Sequence, residues 1–418
     1  MVRRSALPNG LRIVTEPLEG VPSVTIGIWV ESGSRFEPPH LGGISHFLEH
    51  LLFKGTERRS ASQIAEEIDA VGGVLNAFTG KEYTCYYARV LAEHATLAMD
   101  LLADLFLNSR LDSEEIDRER TVVLQEISQS EDTPDDYIHD LFNEHYWPGH
   151  PLGRPVCGTS ATVQTFARDA FVDFLGARYR PDRLIISAAG NVTHETVEAW
   201  AARDFSNLSG SASLIDGGPP VPRPGITVTE KSLEQVHLCL GVPGIAQGAS
   251  ERYAAYLLNT VLGGGMSSRL FQEIRERRGH AYSVYSFLSS YRDAGYLGVY
   301  VGTSAQWVED VVTVIARELG ALARDGLRPD ELARAKTQLK GNMLLGLETS
   351  DSRMSRVAKN EIYHQRDVPI SELSEGIDGV THDQVVALAT RLAHANGRSL
   401  ALLGDLGDHV IDPSVLAV

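Results

Sequence analysis

The sequence predicts an α+β fold of two homologous domains, each a mostly antiparallel sheet layered with helices. Three observations predict it. Alternating apolar strands are mixed with helical segments along the chain. A Ser-, Gly- and Pro-rich segment, Ser209 to Gly225, divides the 418 residues near their midpoint. The segments on either side of it follow one order, as an internal repeat would. The predicted boundaries are 1–208 for the first domain, 209–225 for the linker and 226–418 for the second domain.

Each half opens with an alternating strand, Val24 to Val30 in the first and Val236 to Val242 in the second. A helix is then expected after a glycine-rich turn, at Leu41-Gly42-Gly43 and at Leu262-Gly263-Gly264-Gly265. Two more strands follow, at 74–78 and 84–90 in the first half and at 281–288 and 296–301 in the second. Long helices come next, at 92–109 and 307–325. Leu111 to Ile116 then parallels Leu327 to Leu332, each with a helix-start signature.

Composition narrows the class. The apolar fraction of 43% supports a substantial core. No apolar run approaches the ~20 residues of a membrane span, and the N-terminus has no apolar region of a signal peptide. Cys85, Cys157 and Cys239 are widely spaced and form no C-x-x-C. That pattern fits a reducing, cytoplasmic setting and argues against disulfides or a cysteine zinc site. The net charge of -17 disfavours nucleic acid, which needs basic clusters. A solvated acidic surface accounts for it more simply than attraction of basic peptides.

The pentapeptide His46-Phe47-Leu48-Glu49-His50 carries the chemistry. On a helix, at about 100° per residue, His46, Glu49 and His50 share one arc. Ile44, Phe47, Leu48, Leu51 and Leu52 fall on the opposite arc. One face can pack while the other offers two nitrogen ligands and a candidate base, in the H-x-x-E-H order of a zinc hydrolase. Such a site usually has three protein ligands and a water position. A predicted helix over Glu114–Gln129 holds Glu119 and Glu126 two turns apart, about 10 Å along the axis. Ile116, Val122, Val123 and Ile127 are expected on the same arc. Two carboxylates in an apolar stripe are costly unless a cation compensates them; the alternative is surface pairing with Arg118 or Arg120. Aligning Leu111 with Leu327 sets Glu119 against Ala335 and Glu126 against Asn342, and the second half has no H-x-x-E-H. Chemistry is therefore expected in the first half only.

With these residues assembled, the chain resembles the M16 metallopeptidase family, the pitrilysin and insulin-degrading-enzyme group. Its length resembles the short branch that includes the mitochondrial processing peptidase β subunit. The resemblance implies LuxS/metallohydrolase-like domains forming half of a clamshell. It implies one Zn²⁺ per chain on His46, His50 and Glu126, with Glu119 supporting catalysis. Glu49 is then the base of an endopeptidase acting on peptides or unfolded segments inside a closed cavity.

Further segments match. Asn76, Ala77, Phe78 and Thr79 resemble the family's edge strand, which binds substrate by strand addition. Phe78 can shape a side-chain pocket; read on its own, the segment is a hairpin turning at Thr79-Gly80-Lys81. In the second half, Phe271 and the pair Arg275 and Tyr282 resemble the family's substrate-binding residues, the pair binding the substrate carbonyl and oxyanion. Gly279 is expected to end the helix carrying Arg275. The plain alternative pairs Arg275 with Glu273 or Glu276 and makes Tyr282 core. The triple glycine is no phosphate loop, lacking a following Gly-Lys-Ser/Thr. His139, His145 and His150 lie in or beside a turn-rich stretch and are not expected to ligate, and His40 reads as a loop residue. Larger family members resemble two such chains joined, so Arg275 and Tyr282 would complete a partner's site. A homodimer is expected, or a heterodimer with a paralogue. A non-catalytic assembly subunit or a peptide-binding module are the competing readings, and the complete motif set argues against the first.

Overall fold

In the first half of the computed structural model, strands β1 (Arg3–Ala6), β2 (Arg12–Pro17) and β3 (Ser23–Val30) lead into helices α1 (Ile44–Leu52) and α2 (Ala61–Ala70). Then come β4 (Val74–Thr79), β5 (Thr84–Leu91), α3 (Ala95–Asn108), α4 (Ser113–Glu131) and α5 (Pro134–Tyr146). Helices α6 (Ser160–Val163) and α7 (Arg168–Arg178), strand β6 (Leu184–Gly190) and α8 (His194–Phe205) complete it. The structure describes residues 1–213, 217–409 and 411–416. The predicted linker is thus seen only in part, since 214–216 lie outside the described residues; its described part has no regular structure before Gly225.

The second half runs β7 (Gly225–Thr229), β8 (Val236–Pro243), α9 (Arg252–Gly263), a π-helix (Phe271–Arg277), β9 (Ala281–Ser290) and β10 (Gly295–Thr303). Helices α10 (Val308–Arg324), α11 (Glu331–Leu345), α12 (Ser350–His364), α13 (Ile370–Asp378) and α14 (His382–Ala393) precede β11 (Ser399–Leu403).

The two sheets have one topology. The first is ordered β1-β2-β6-β3-β5-β4 and the second β7-β11-β8-β10-β9. In each, one parallel pair, β2 with β6 or β7 with β11, adjoins three antiparallel pairings. Strand β1 is an addition on the edge of the first sheet. The fold is therefore α+β with two homologous halves, as the strand and helix order predicts.

In the second half a helix follows the triple glycine as expected, but most of it is a π-helix, and a further helix, α9, runs up to the glycines from the other side. A Cβ on Gly263 would meet the backbone nitrogen of Ser286 at 2.4 Å, so the end of α9 must be glycine to lie against β9.

The chain divides into two compact units that are not contiguous halves. The first comprises Met1–Gln129, Arg154–Gly217 and Gly346–Asp367; the second comprises Ser130–Gly153, Gly218–Leu345 and Val368–Val418. Helix α12 therefore packs with the first sheet. Its Met354, Val357, Ala358 and Ile362 cover Val14, Trp29, Cys85, Ile185 and Ala189. The opposite face carries the main core with α1 and α3. Both faces being covered, seven of the eight residues of β3 are buried. Trp29 is fully buried with its indole N–H donating to Ser187 Oγ at 2.8 Å. Trp29→Ala is expected to cost about 3–5 kcal/mol, measurable by denaturant unfolding. In the second unit α5 plays the covering role. Its Ile138, Phe142 and Tyr146 pack on Cys239, Tyr296, Tyr300, Ala401 and Leu403. No helix among the described residues is long and apolar enough to cross a membrane.

Candidate metal centre

Helix α1 is held at its start by a residue that spacing does not reveal. The buried Glu37 carboxylate accepts the N–H of Gly43 and of Ser45, each at 2.8 Å. An anion there satisfies orphan donors and complements the helix dipole. Burial pushes the Glu37 carboxyl up, and those two hydrogen bonds oppose it. Gly43 has φ 95°, and a Cβ on it would meet Cys157 O at 2.5 Å, so no side chain fits. Glu37→Ala leaves two buried donors unmet. We expect a loss of about 1–3 kcal/mol, read by denaturant unfolding.

From that start the helical spacing acts as predicted. Ile44, Phe47, Leu48, Leu51 and Leu52 are buried, while His46, Glu49 and His50 face the opposite side. Helix α4 presents Glu119 and Glu126 to them. Ile116, Glu119, Val123 and Ile127 are the buried residues of α4. Val122 is not among them; it lies 40% exposed, about 60° around the helix from Glu119 and away from Val123. Neither neighbouring arginine takes the two glutamates. Arg118 pairs with Glu115, and Arg120 donates to Val163 O and Phe166 O.

His46 Nε2 lies 3.7 Å and His50 Nε2 3.4 Å from Glu126 Oε2. One ligand atom from each of the three residues falls within 4.8 Å of the others, the one such group among the described residues. Tetrahedral zinc with bonds of about 2.0–2.2 Å separates its ligands by about 3.3–3.6 Å, so the donor set fits that ion. Burial lowers His46 to about 4, with the charge of His50 adding to the effect, so its imidazole is neutral and available near pH 7. Burial also works against a charged His50, but its hydrogen bond to Glu119 and the charge of Glu126 outweigh this and raise it.

His50 Nδ1 meets Glu119 Oε1 at 2.8 Å, and Lys54 Nζ meets Glu119 Oε2 at 2.6 Å. With Nε2 as the ligand atom, Nδ1 carries the proton and donates to Glu119, fixing tautomer and ring plane. Burial raises Glu119, but the His50 and Lys54 hydrogen bonds hold it below the usual carboxylate range. Glu119→Gln is expected to weaken metal retention about 10–100-fold, as read by chelator competition.

Glu49 is pushed up by burial, against a hydrogen bond from Thr79 and the nearby His50. Thr79 Oγ1 donates to Glu49 Oε2. Thr79 is the last residue of β4, which forms the outer edge of the sheet. Leu75 and Ala77 of that strand face the core beneath α1. Asn76 is exposed, with its side-chain oxygen accepting the N–H of Ala77 at 2.8 Å. Phe78 points to the other face, where its ring meets Trp29 at 5.4 Å and Tyr83 at 6.3 Å.

In the second unit, the Arg275 guanidinium lies between two rings, 4.4 Å from that of Tyr282 and 4.8 Å from that of Phe271. Its nearest carboxylate, on Glu276, is 3.9 Å away, and Glu273 pairs with Arg277 and Arg317 instead. Tyr282 is 77% exposed, so it is not a core residue. Gly279, at φ 66°, ends the π-helix, its N–H donating to Arg275 O at 3.1 Å. Ala335, opposite Glu119 in the repeat, is a buried core residue. His139 Nε2 meets Tyr285 Oη at 3.1 Å, and His150 Nε2 meets Gly218 O at 3.0 Å. His40 is exposed.

The comparison with protein families decides the kinship. Residues 12–160 match the model of insulinase, peptidase family M16, and residues 165–339 match that of the peptidase M16 inactive domain. The chain belongs to peptidase family M16. The second match suits the half of this M16 chain that lacks H-x-x-E-H. It is 43% identical over 411 residues to the uncharacterized zinc protease YmxG of Bacillus subtilis, spanning 98% of this chain and 99% of that one. It is 45% identical over 416 residues to an uncharacterized zinc protease of Streptomyces coelicolor, spanning 97% and 90%. Among solved structures, an M16 inactive domain from Pseudomonas fluorescens superposes with a TM-score of 0.88 at 20% identity, covering 96% of this chain and 98% of that one. A protease from Helicobacter pylori does so with 0.88 at 21%, covering 97% and 99%. These two likenesses are of fold.

In this M16 chain, sequence reasoning missed Glu37, Lys54 and the side-chain role of Thr79. Lys54 had no helical signal, since α1 ends at Leu52 and Lys54 lies in the turn beyond it. Glu37 had none, because a loop carries it back to the helix start.

Proposed function

We propose that this chain is a zinc-dependent endopeptidase cutting peptides or unfolded segments in the cytoplasm. The observation that carries the reading is the clustering of His46, His50 and Glu126, one ligand atom from each lying within 4.8 Å of the others, with Glu49 on the same helical face. One zinc ion per chain, held by those three residues, would supply a water activated for attack near neutral pH and polarise the scissile carbonyl. Glu49 accepts the proton at its carboxylate and later passes it to the leaving amine. Its buried setting, which raises its affinity for protons, suits that exchange. Glu119 keeps His50 Nδ1 protonated and its ring in place. Strand β4, at the end of its sheet among the described residues, offers its edge to an extended peptide, whose backbone can pair with it whatever its sequence.

Arg275 and Tyr282 bind the substrate carbonyl and developing oxyanion in this reading. A guanidinium steadied by two rings and a solvent-exposed phenol support that assignment. We extend the proposal to a homodimer in which each chain lends Arg275 and Tyr282 to its partner's zinc site. Mixing Glu49→Gln protein with Tyr282→Phe protein then restores part of the activity that each lacks. No rescue despite subunit exchange counts against the shared site.

The function itself is tested with a peptide longer than the site, its products mapped by mass spectrometry. Cleavage at internal bonds is expected. Removal of single terminal residues, or binding without cleavage, would refute an endopeptidase.

A further inference from the structure

The side chain of Thr79 has a contact that pairing with a peptide does not require. Its hydroxyl, donating to Glu49 Oε2, is the one hydrogen-bond partner of that carboxylate among the described residues. The frame behind Thr79 is firmly held. Gly80 N–H donates to Tyr83 O at 2.8 Å across the turn that follows. Ser34 and Arg35 donate their N–H groups to Gly80 O and Lys81 O at 3.2 and 2.8 Å. The buried Arg35–Glu82 ion pair closes at 2.8 Å, and the Tyr363 hydroxyl reaches the other Glu82 oxygen at 2.9 Å. Threonine is also stiff at χ1. Glu49, by contrast, is a long side chain on a helix, able to place its carboxylate in several ways.

We propose that Thr79 is a positioning residue for Glu49. Its hydroxyl fixes one carboxylate oxygen, which leaves the other to meet the proton at a defined place. The strand that pairs with the substrate thereby also sets the base. The proposal rests on the reading of this chain as a zinc peptidase with Glu49 as base.

The test compares wild type, Thr79→Val and Thr79→Ser on an internally quenched peptide, with zinc content and thermal melting measured for each. Valine keeps the shape without the hydroxyl, and serine keeps the hydroxyl. Thr79→Val is expected to lose about 10–100-fold in kcat with KM and zinc content unchanged, while Thr79→Ser keeps most of the wild-type kcat. A wild-type kcat in Thr79→Val, a loss confined to KM, or a Thr79→Ser as slow as the valine variant would overturn it. Should Thr79→Val melt early, Thr79→Ala carries the same comparison. Failure of the peptidase reading is distinguishable, since wild type would then show no chelator-sensitive cleavage before any variant is compared.

Discussion

Glu49→Gln is expected to lower kcat about 10²–10⁴-fold while leaving zinc content at the wild-type level. The amide matches the carboxylate in shape and can still accept from Thr79, so the frame around α1 stays intact. What it loses is the ability to take a proton. Glu49 is outside the His46, His50 and Glu126 cluster, so its charge is not needed to hold the ion. Metal analysis and steady-state kinetics on the same preparation separate these effects. Full turnover in this variant would remove Glu49 from its role. Lost zinc together with lost turnover would instead make Glu49 a structural support for the site.

Glu126→Ala is expected to have the larger effect on the metal. Glu126 Oε2 is the atom both histidines share, at 3.7 and 3.4 Å, and it brings the one carboxylate of the cluster. Without it the cluster keeps two imidazoles and no carboxylate ligand. Zinc affinity should fall by more than the roughly 10–100-fold expected for loss of an outer partner such as Glu119, and activity should fall with it. Glu126 is also half-exposed, and burial does not make it a core residue. Unfolding stability of the metal-free protein should therefore change little, within about 0.5 kcal/mol. A variant that keeps its zinc would show that the third ligand lies elsewhere.

Much of this arrangement was legible in the sequence because it follows from period. A repeat of 3.6 residues sorts His46, Glu49 and His50 from Ile44, Phe47 and Leu48, and the structure keeps that division. The seven-residue interval between Glu119 and Glu126 likewise survives folding, since two helical turns return to one face. The repeat was legible too, as the matched strand orders of the two sheets show. What the sequence withheld depends on contacts between distant segments. Val122 and Val123 are equally apolar, and only the packing of α4 decides which is buried. The pairing of α12 with the first sheet and α5 with the second cannot be read from either helix alone. Glu37 reaches back to α1 through a loop, where no period operates. Tyr282 begins an alternating strand, but the register against β10 skips it, with Ala281 opposite Thr303 and Ser283 opposite Gly302, so it is exposed while Val284 is buried.

The central claim is that His46, His50 and Glu126 hold one catalytic zinc ion per chain. Its most direct test strips the protein with a chelator, removes the chelator, and titrates zinc back while cleavage of a quenched peptide is followed. Activity should vanish on stripping, return linearly and level off at one zinc per chain. Cleavage that persists in the stripped protein, or that does not return with zinc in a protein still folded, would contradict the account.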